Sequence, residues 1–88
     1  MVCKTHRQLA GIAILCPDDP LPLPIQQATE ALRQGETLDQ VMIRLNQQGI
    51  LAWRQAPPTD PFYDSCWVRP GNGPQVLIAC TWVPVPVH

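Results

Sequence analysis

Thr37-Leu38-Asp39-Gln40-Val41-Met42-Ile43-Arg44-Leu45-Asn46-Gln47-Gln48-Gly49-Ile50 is the most strongly patterned stretch of the chain. Thr37 and Gln40 have the form of a capping box, in which the threonine hydroxyl accepts from a backbone N–H three residues on. Leu38, Val41, Met42 and Leu45 recur at i, i+3, i+4 and i+7, one apolar stripe along a helix. Gly49 supplies a left-handed stop. Upstream, residues 25–34 read as a shorter helix, with Ile25, Ala28, Ala31 and Leu32 on one face and Gly35 as its cap. Pro24 suits that helix's first residue. The two form a helical hairpin joined tightly at Gly35-Glu36.

Strands flank the hairpin. Residues 9–16 are an apolar run bounded by Pro17-Asp18-Asp19-Pro20, which favours a buried strand. Alternate prolines over 20–24 block helix and ladder alike and favour an extended connection. Residues 50–55 read as a second strand and 65–69 as a third. Pro70-Gly71-Asn72-Gly73-Pro74 turns the third into a fourth at 75–83, and Pro84 and Pro86 end the ladder. In the fourth run Val76, Ile78, Cys80 and Trp82 share one face, and Leu77, Ala79, Thr81 and Val83 the other. The expected fold is a small α+β domain of order β-α-α-β-β-β. It has a mainly antiparallel four-stranded sheet and a helical hairpin on one face. A single domain is expected over 1–88, with residues 1–8 and 84–88 as flexible ends.

Composition bounds the function. The chain has 88 residues, 45% of them apolar and 15% charged, with a formal net charge of -1. One modest core is possible at this length. The near-neutral balance disfavours binding to a phosphate backbone by bulk positive charge. No apolar run approaches the ~20 residues of a membrane span, and the polar start Met1 to Arg7 lacks a secretion signal, so a cytoplasmic location is expected. A reducing compartment disfavours disulfides among Cys3, Cys16, Cys66 and Cys80 without deciding whether each is free, paired or metal-bound, and Cys16 and Cys80 read as small buried hydrophobes. Cys3-x-x-His6 is the nearest approach to a metal knuckle, but it would need distant help from Cys66 or Cys80. No metal or cofactor is expected.

Catalytic groups are sparse. Ser65 is the only serine, and His6 and His88 lie near the ends of the sequence. A Cys66 nucleophile oriented by Asp64 competes with a plain core cysteine, and the core reading is preferred. Asp18-Asp19 reads as turn chemistry between prolines. Binding fits better than catalysis. Residues 57–74 read as a long loop carrying Phe62, Tyr63 and Trp67 beside Arg69, residue types that dominate interface hot spots. The same aromatics could instead cap the open end of a small core. Pro20 to Pro24 and Pro84-Val85-Pro86 could dock in an aromatic groove, although rigid connection and edge protection are the commoner uses.

Two apolar runs, 9–16 and 75–83, lack the alternation of a strand with one wet face. Two short helices cannot shelter that much strand. The expectation is therefore a small non-enzymatic accessory or regulatory protein that binds another protein and also self-associates as a homo-oligomer such as a homodimer.

The spacing Leu38, Val41, Met42, Leu45, Gly49, Ile50, followed by Trp53-Arg54, resembles winged-helix DNA-binding domains over roughly residues 25–83. The strand before the helical pair resembles that family's short first strand. The resemblance implies a DNA-binding regulator contacting the duplex through Arg44, Asn46, Gln47, Gln48 and Arg54. The chain departs from the family in lacking a preceding first helix, and Arg44 is the only cation between residues 37 and 49, where a DNA reader needs several contacts.

Overall fold

A computed structural model describes residues 7–17 and 20–85. Its elements are β1 (Arg7–Leu15), α1 (Leu23–Arg33), α2 (Leu38–Gln47), β2 (Leu51–Trp53), β3 (Tyr63–Arg69) and β4 (Val76–Pro84). The strands form one antiparallel sheet in the order β1-β4-β3-β2. This is the expected β-α-α-β-β-β domain with four antiparallel strands and two helices.

Local chemistry sets the helix ends. Pro22 stands at φ -54° and ψ 145°, a polyproline conformation, and caps α1 without a side-chain bond. Pro24 falls one residue inside the helix rather than at its first position, where its missing N–H is still harmless. Thr37 and Gln40 form the capping box, with Gln40 N–H donating to the Thr37 hydroxyl and Thr37 N–H to Gln40 Oε1, each at 3.1 Å. Both helices end alike. Gly35 at φ 104° and Gly49 at φ 82° adopt the left-handed conformation that glycine takes without penalty. In each, the next residue's N–H reaches back to a carbonyl of the last turn, Glu36 to Ala31 and Ile50 to Leu45.

The core lies between the helices and one face of the sheet. Ile25, Ala28, Ala31 and Leu32 of α1 and Leu38, Val41 and Leu45 of α2 are buried with Ala52, Cys66, Val68, Val76, Ile78 and Cys80. The strand residues of that set alternate with outward-facing ones, as a period of two requires. The single buried polar side chain among the described residues, Thr29, donates its hydroxyl to Gln26 O at 2.8 Å.

Several boundaries move. The second strand shrinks from 50–55 to the three residues Leu51–Trp53, ahead of the proline pair Pro57-Pro58, and Arg54 follows it with its side chain in ion pairs to Asp39 and Asp64. The long loop expected over 57–74 is not one connection. Residues 63–69 are strand, leaving 54–62 and 70–75 as the connections. Tyr63-Asp64-Ser65 extends the third strand by pairing with Thr81, Cys80 and Ala79. Arg7 and Gln8, expected in a flexible end, pair in β1, and Pro84 pairs with Arg7. Residues 1–6, 18–19 and 86–88 lie outside the described residues, and with them Cys3, His6, Asp18, Asp19, Pro86 and His88. At nine residues, β1 is longer than the short first strand of the winged-helix pattern.

Candidate functional site

Residues directly opposite in a sheet share a face, so the register defines what lies on the side away from the helices. One row there crosses all four strands: Trp53 of β2, Trp67 of β3, Leu77 of β4 and Leu15 of β1. The next row is small, Ser65, Ala79 and Ala13, and the third is Tyr63, Thr81 and Gly11. Leu51 and Arg69 lie beyond the first row. Leu15 is 66% exposed, Leu51 55%, and Tyr63 and Val83 46% each. Among the described residues no helix packs on this side. Four strands about 4.8 Å apart and some seven residues long at about 3.3 Å each span roughly 400 Å². That area is the whole face, which mixes Trp53, Trp67 and Leu77 with the polar Ser65, Thr81 and Arg69, and its exposed apolar part is gathered at Leu15, Leu51, Tyr63 and Val83.

Three of the four expected partner-binding residues meet on this face. Tyr63, Trp67 and Arg69 occupy alternate positions of β3 and project together. Phe62 does not join them. It sits half-buried in the turn before β3, where its carbonyl accepts from Trp82 N–H at 2.9 Å. Ser65 completes the stripe between Tyr63 and Trp67. Beside it the proline-rich segment 55–60 encloses a shallow hollow of about 230 Å³ against Tyr63, Ser65 and Trp67. That is smaller than the ~300 Å³ at which small-molecule sites begin, and of a size for one partner side chain. Sequence reasoning missed Trp53, Leu77 and Leu15 as site residues. The sequence separates Leu77 from the face of Val76, Ile78 and Cys80, but the alignment of Trp53, Trp67, Leu77 and Leu15 into one row depends on the strand order.

The residues suggested by the winged-helix resemblance are mostly engaged elsewhere. Arg44 pairs with Glu36 across the helical hairpin. Arg54 holds Asp64 in a two-pronged bond, Nε to Oδ1 at 3.0 Å and Nη2 to Oδ2 at 2.6 Å, and reaches Asp39 of α2 with Nη1. The Asp64 carboxylate, ahead of Asp39, raises the Arg54 pKa above its ordinary value against the opposing effect of burial. Asn46 spends its amide on the backbone of Ala52, donating to its carbonyl and accepting from its N–H, each at 3.1 Å. Gln47 and Gln48 are exposed at the end of α2. A third cation, Arg7, lies 4.1 Å over the Trp82 ring and donates to Pro61 O.

Cys66 and Cys80 are diagonal neighbours on the helix-side face and, like Cys16, are free thiols. Burial, then the nearby Cys80 and Asp64, pushes the Cys66 thiol up to about 12. Burial and Asp64 push Cys80 up to about 11. Both are protonated at neutral pH, the state of an inert core thiol rather than a nucleophile. The Asp64 carboxylate accepts from Arg54 and from Ser65 N–H, so it is a structural anchor for β3. Among the described residues no three His, Cys, Asp or Glu side chains gather as metal ligands, and no helix is long and apolar enough to cross a membrane.

Against family models, curated proteins and solved structures alike, the chain finds no match.

Proposed function

We propose that this chain is a small non-enzymatic accessory or regulatory protein that binds another protein through the helix-free face of its sheet. The observation that carries this reading is the row Trp53–Trp67–Leu77–Leu15, apolar across four strands and exposed at its Leu15 end. Tyr63 and Trp67 supply large amphipathic area at the centre, and Arg69 lies at the rim. The free thiols Cys16, Cys66 and Cys80 suit a reducing compartment and support a cytoplasmic setting.

The test is capture of native host proteins on immobilised wild-type protein and on a Tyr63→Ser, Trp67→Ser double variant, with thermal melts of both. A polypeptide retained by the wild type and lost by the variant, at matching melting temperatures, supports the face as the binding surface. Retention of the same polypeptides by both would sink it. Collapse of the variant's melt would assign these aromatics to folding, and Leu51→Gln, at a more exposed position of the same face, then decides between the readings. Retardation of duplex DNA at low salt, abolished by Arg44→Ala, would favour the DNA-binding alternative.

A further inference from the structure

The two edges of the sheet are finished differently. At the β2 edge the strand is three residues long, and Asn46 satisfies the backbone N–H and carbonyl of its central residue, Ala52. This side chain stands in for a fifth strand and closes that edge. The β1 edge is nine residues long, with no proline and no charge between Gln8 and Leu15. Among the described residues the one side chain bonded to its backbone, Thr81 to Gly11 O, comes from β4 on the paired side. Uncharged edges without proline are the kind that accept another strand, and the bulge between Leu9 and Gly11 leaves Gly11–Leu15 as the regular part of this one.

Burial also falls away toward β1. In the helix-side row Ile14–Ile78–Cys66, Ile78 and Cys66 are 0% and 1% exposed while Ile14 is only half-buried. In the next row Cys80 is fully buried and Ile12 is not. Among the described residues the core is thus less complete along the edge where β1 has no strand neighbour.

We propose that the free edge of β1 pairs antiparallel with β1 of a second copy about a two-fold axis at Ala13. The two four-stranded sheets then join into one. The register follows from the segment Gly11–Leu15, which is regular because the bulge between Leu9 and Gly11 lies outside it. Its centre, Ile12-Ala13-Ile14, reads the same in both directions. With Ala13 facing its own counterpart, Ile12 lies opposite the partner's Ile14 on the helix side, and the four isoleucines extend the two incomplete cores into each other. On the other face Leu15 meets the partner's Gly11, large against small. Arg7 stays beyond the paired segment, so no like charges confront each other. This contact uses the edge, not the helix-free face, and so stands apart from the protein-binding reading.

The test is sedimentation in reducing buffer at about 100 μM for the wild type, Ala13→Lys, Ala13→Glu and an equal mixture of the two variants. Ala13 is exposed, so both substitutions leave the monomer folded, which far-ultraviolet circular dichroism verifies. The expected result is a doubled mass for the wild type, single mass for each variant alone, and recovery of doubled mass in the mixture, where lysine faces glutamate across the axis. A single-mass wild type overturns the proposal. So does a doubled mass in either variant alone, or a mixture that fails to recover. The Tyr63→Ser, Trp67→Ser variant keeps the doubled mass if the edge is the contact, and its loss would move self-association to the face.

Discussion

Cys66 and Cys80 show how burial at single residues becomes pH dependence. Both thiols are raised in the folded chain, to about 12 and about 11, above the ordinary value of 9.0. The unfolded chain therefore loses these protons first as pH rises, and the folded chain binds more of them. Stability falls with pH where the unfolded state binds fewer protons, so their contribution is present in full below pH 9 and is lost between 9 and about 12. The expected outcome is a melting temperature that drops from pH 9 to pH 11, with a shallower drop in a Cys66→Ala, Cys80→Ala double variant. Equal slopes would show that the thiols are not protected. Arg54 works in the opposite electrostatic setting, since its partner Asp64 is itself mostly buried. Truncating Arg54 to alanine leaves that carboxylate unpaired and is expected to cost about 2 kcal/mol in a urea melt. A loss below about 0.5 kcal/mol, the figure for an exposed pair, would contradict the buried geometry.

Among the elements, α2 carries more than its own helix. Its capping box fixes the start, Gly49 the stop, and between them Asn46 holds β2 in the sheet through two backbone bonds. Thr37→Ala is expected to cost about 1 kcal/mol by freeing one helix-end donor. Asn46→Ala is expected to cost about 2 kcal/mol, because both bonds are lost and Ala52 keeps polar groups that only water can then satisfy. Asn46→Asp, which keeps the acceptor but not the donor, should fall between wild type and alanine; a ranking with aspartate at or below alanine would mean the bonds are not what holds β2. How much of this was legible depends on range. The capping box, the apolar stripe and the glycine stop act within a few residues, so the boundaries of α2 are read directly from Thr37 to Gly49. In the sequence Asn46 stands out only as one of the duplex contacts that the winged-helix resemblance implies. Its role depends on where β2 returns, which no local pattern encodes. The Arg54 ion pair is hidden from local pattern for the same reason, since Asp64 lies ten residues away in the third strand.

At the scale of the molecule, the division of β4 into two faces is legible in the sequence, and so is its apolar character on both. The strand order is not. Val76, Ile78 and Cys80 could be assigned to one face from period alone, but only the placement of β4 between β1 and β3 turns Leu77 into part of a row with Trp53, Trp67 and Leu15. Among the described residues one face of the sheet lies under the helices and the other has no helical cover, and this asymmetry has a measurable consequence. Ile78 is fully buried under the helices, so Ile78→Ala removes transfer free energy and leaves a cavity, at an expected cost of about 3 kcal/mol. Leu51 is 55% exposed on the open face, so Leu51→Gln is expected to stay within about 0.5 kcal/mol of wild type. Its midpoint in urea should hold while the concentration at which the protein begins to aggregate rises, since a polar group then interrupts the exposed apolar surface. A loss at Leu51 comparable to that at Ile78 would mean that the open face is covered within a single copy, and the surface argued to receive a partner would already be filled.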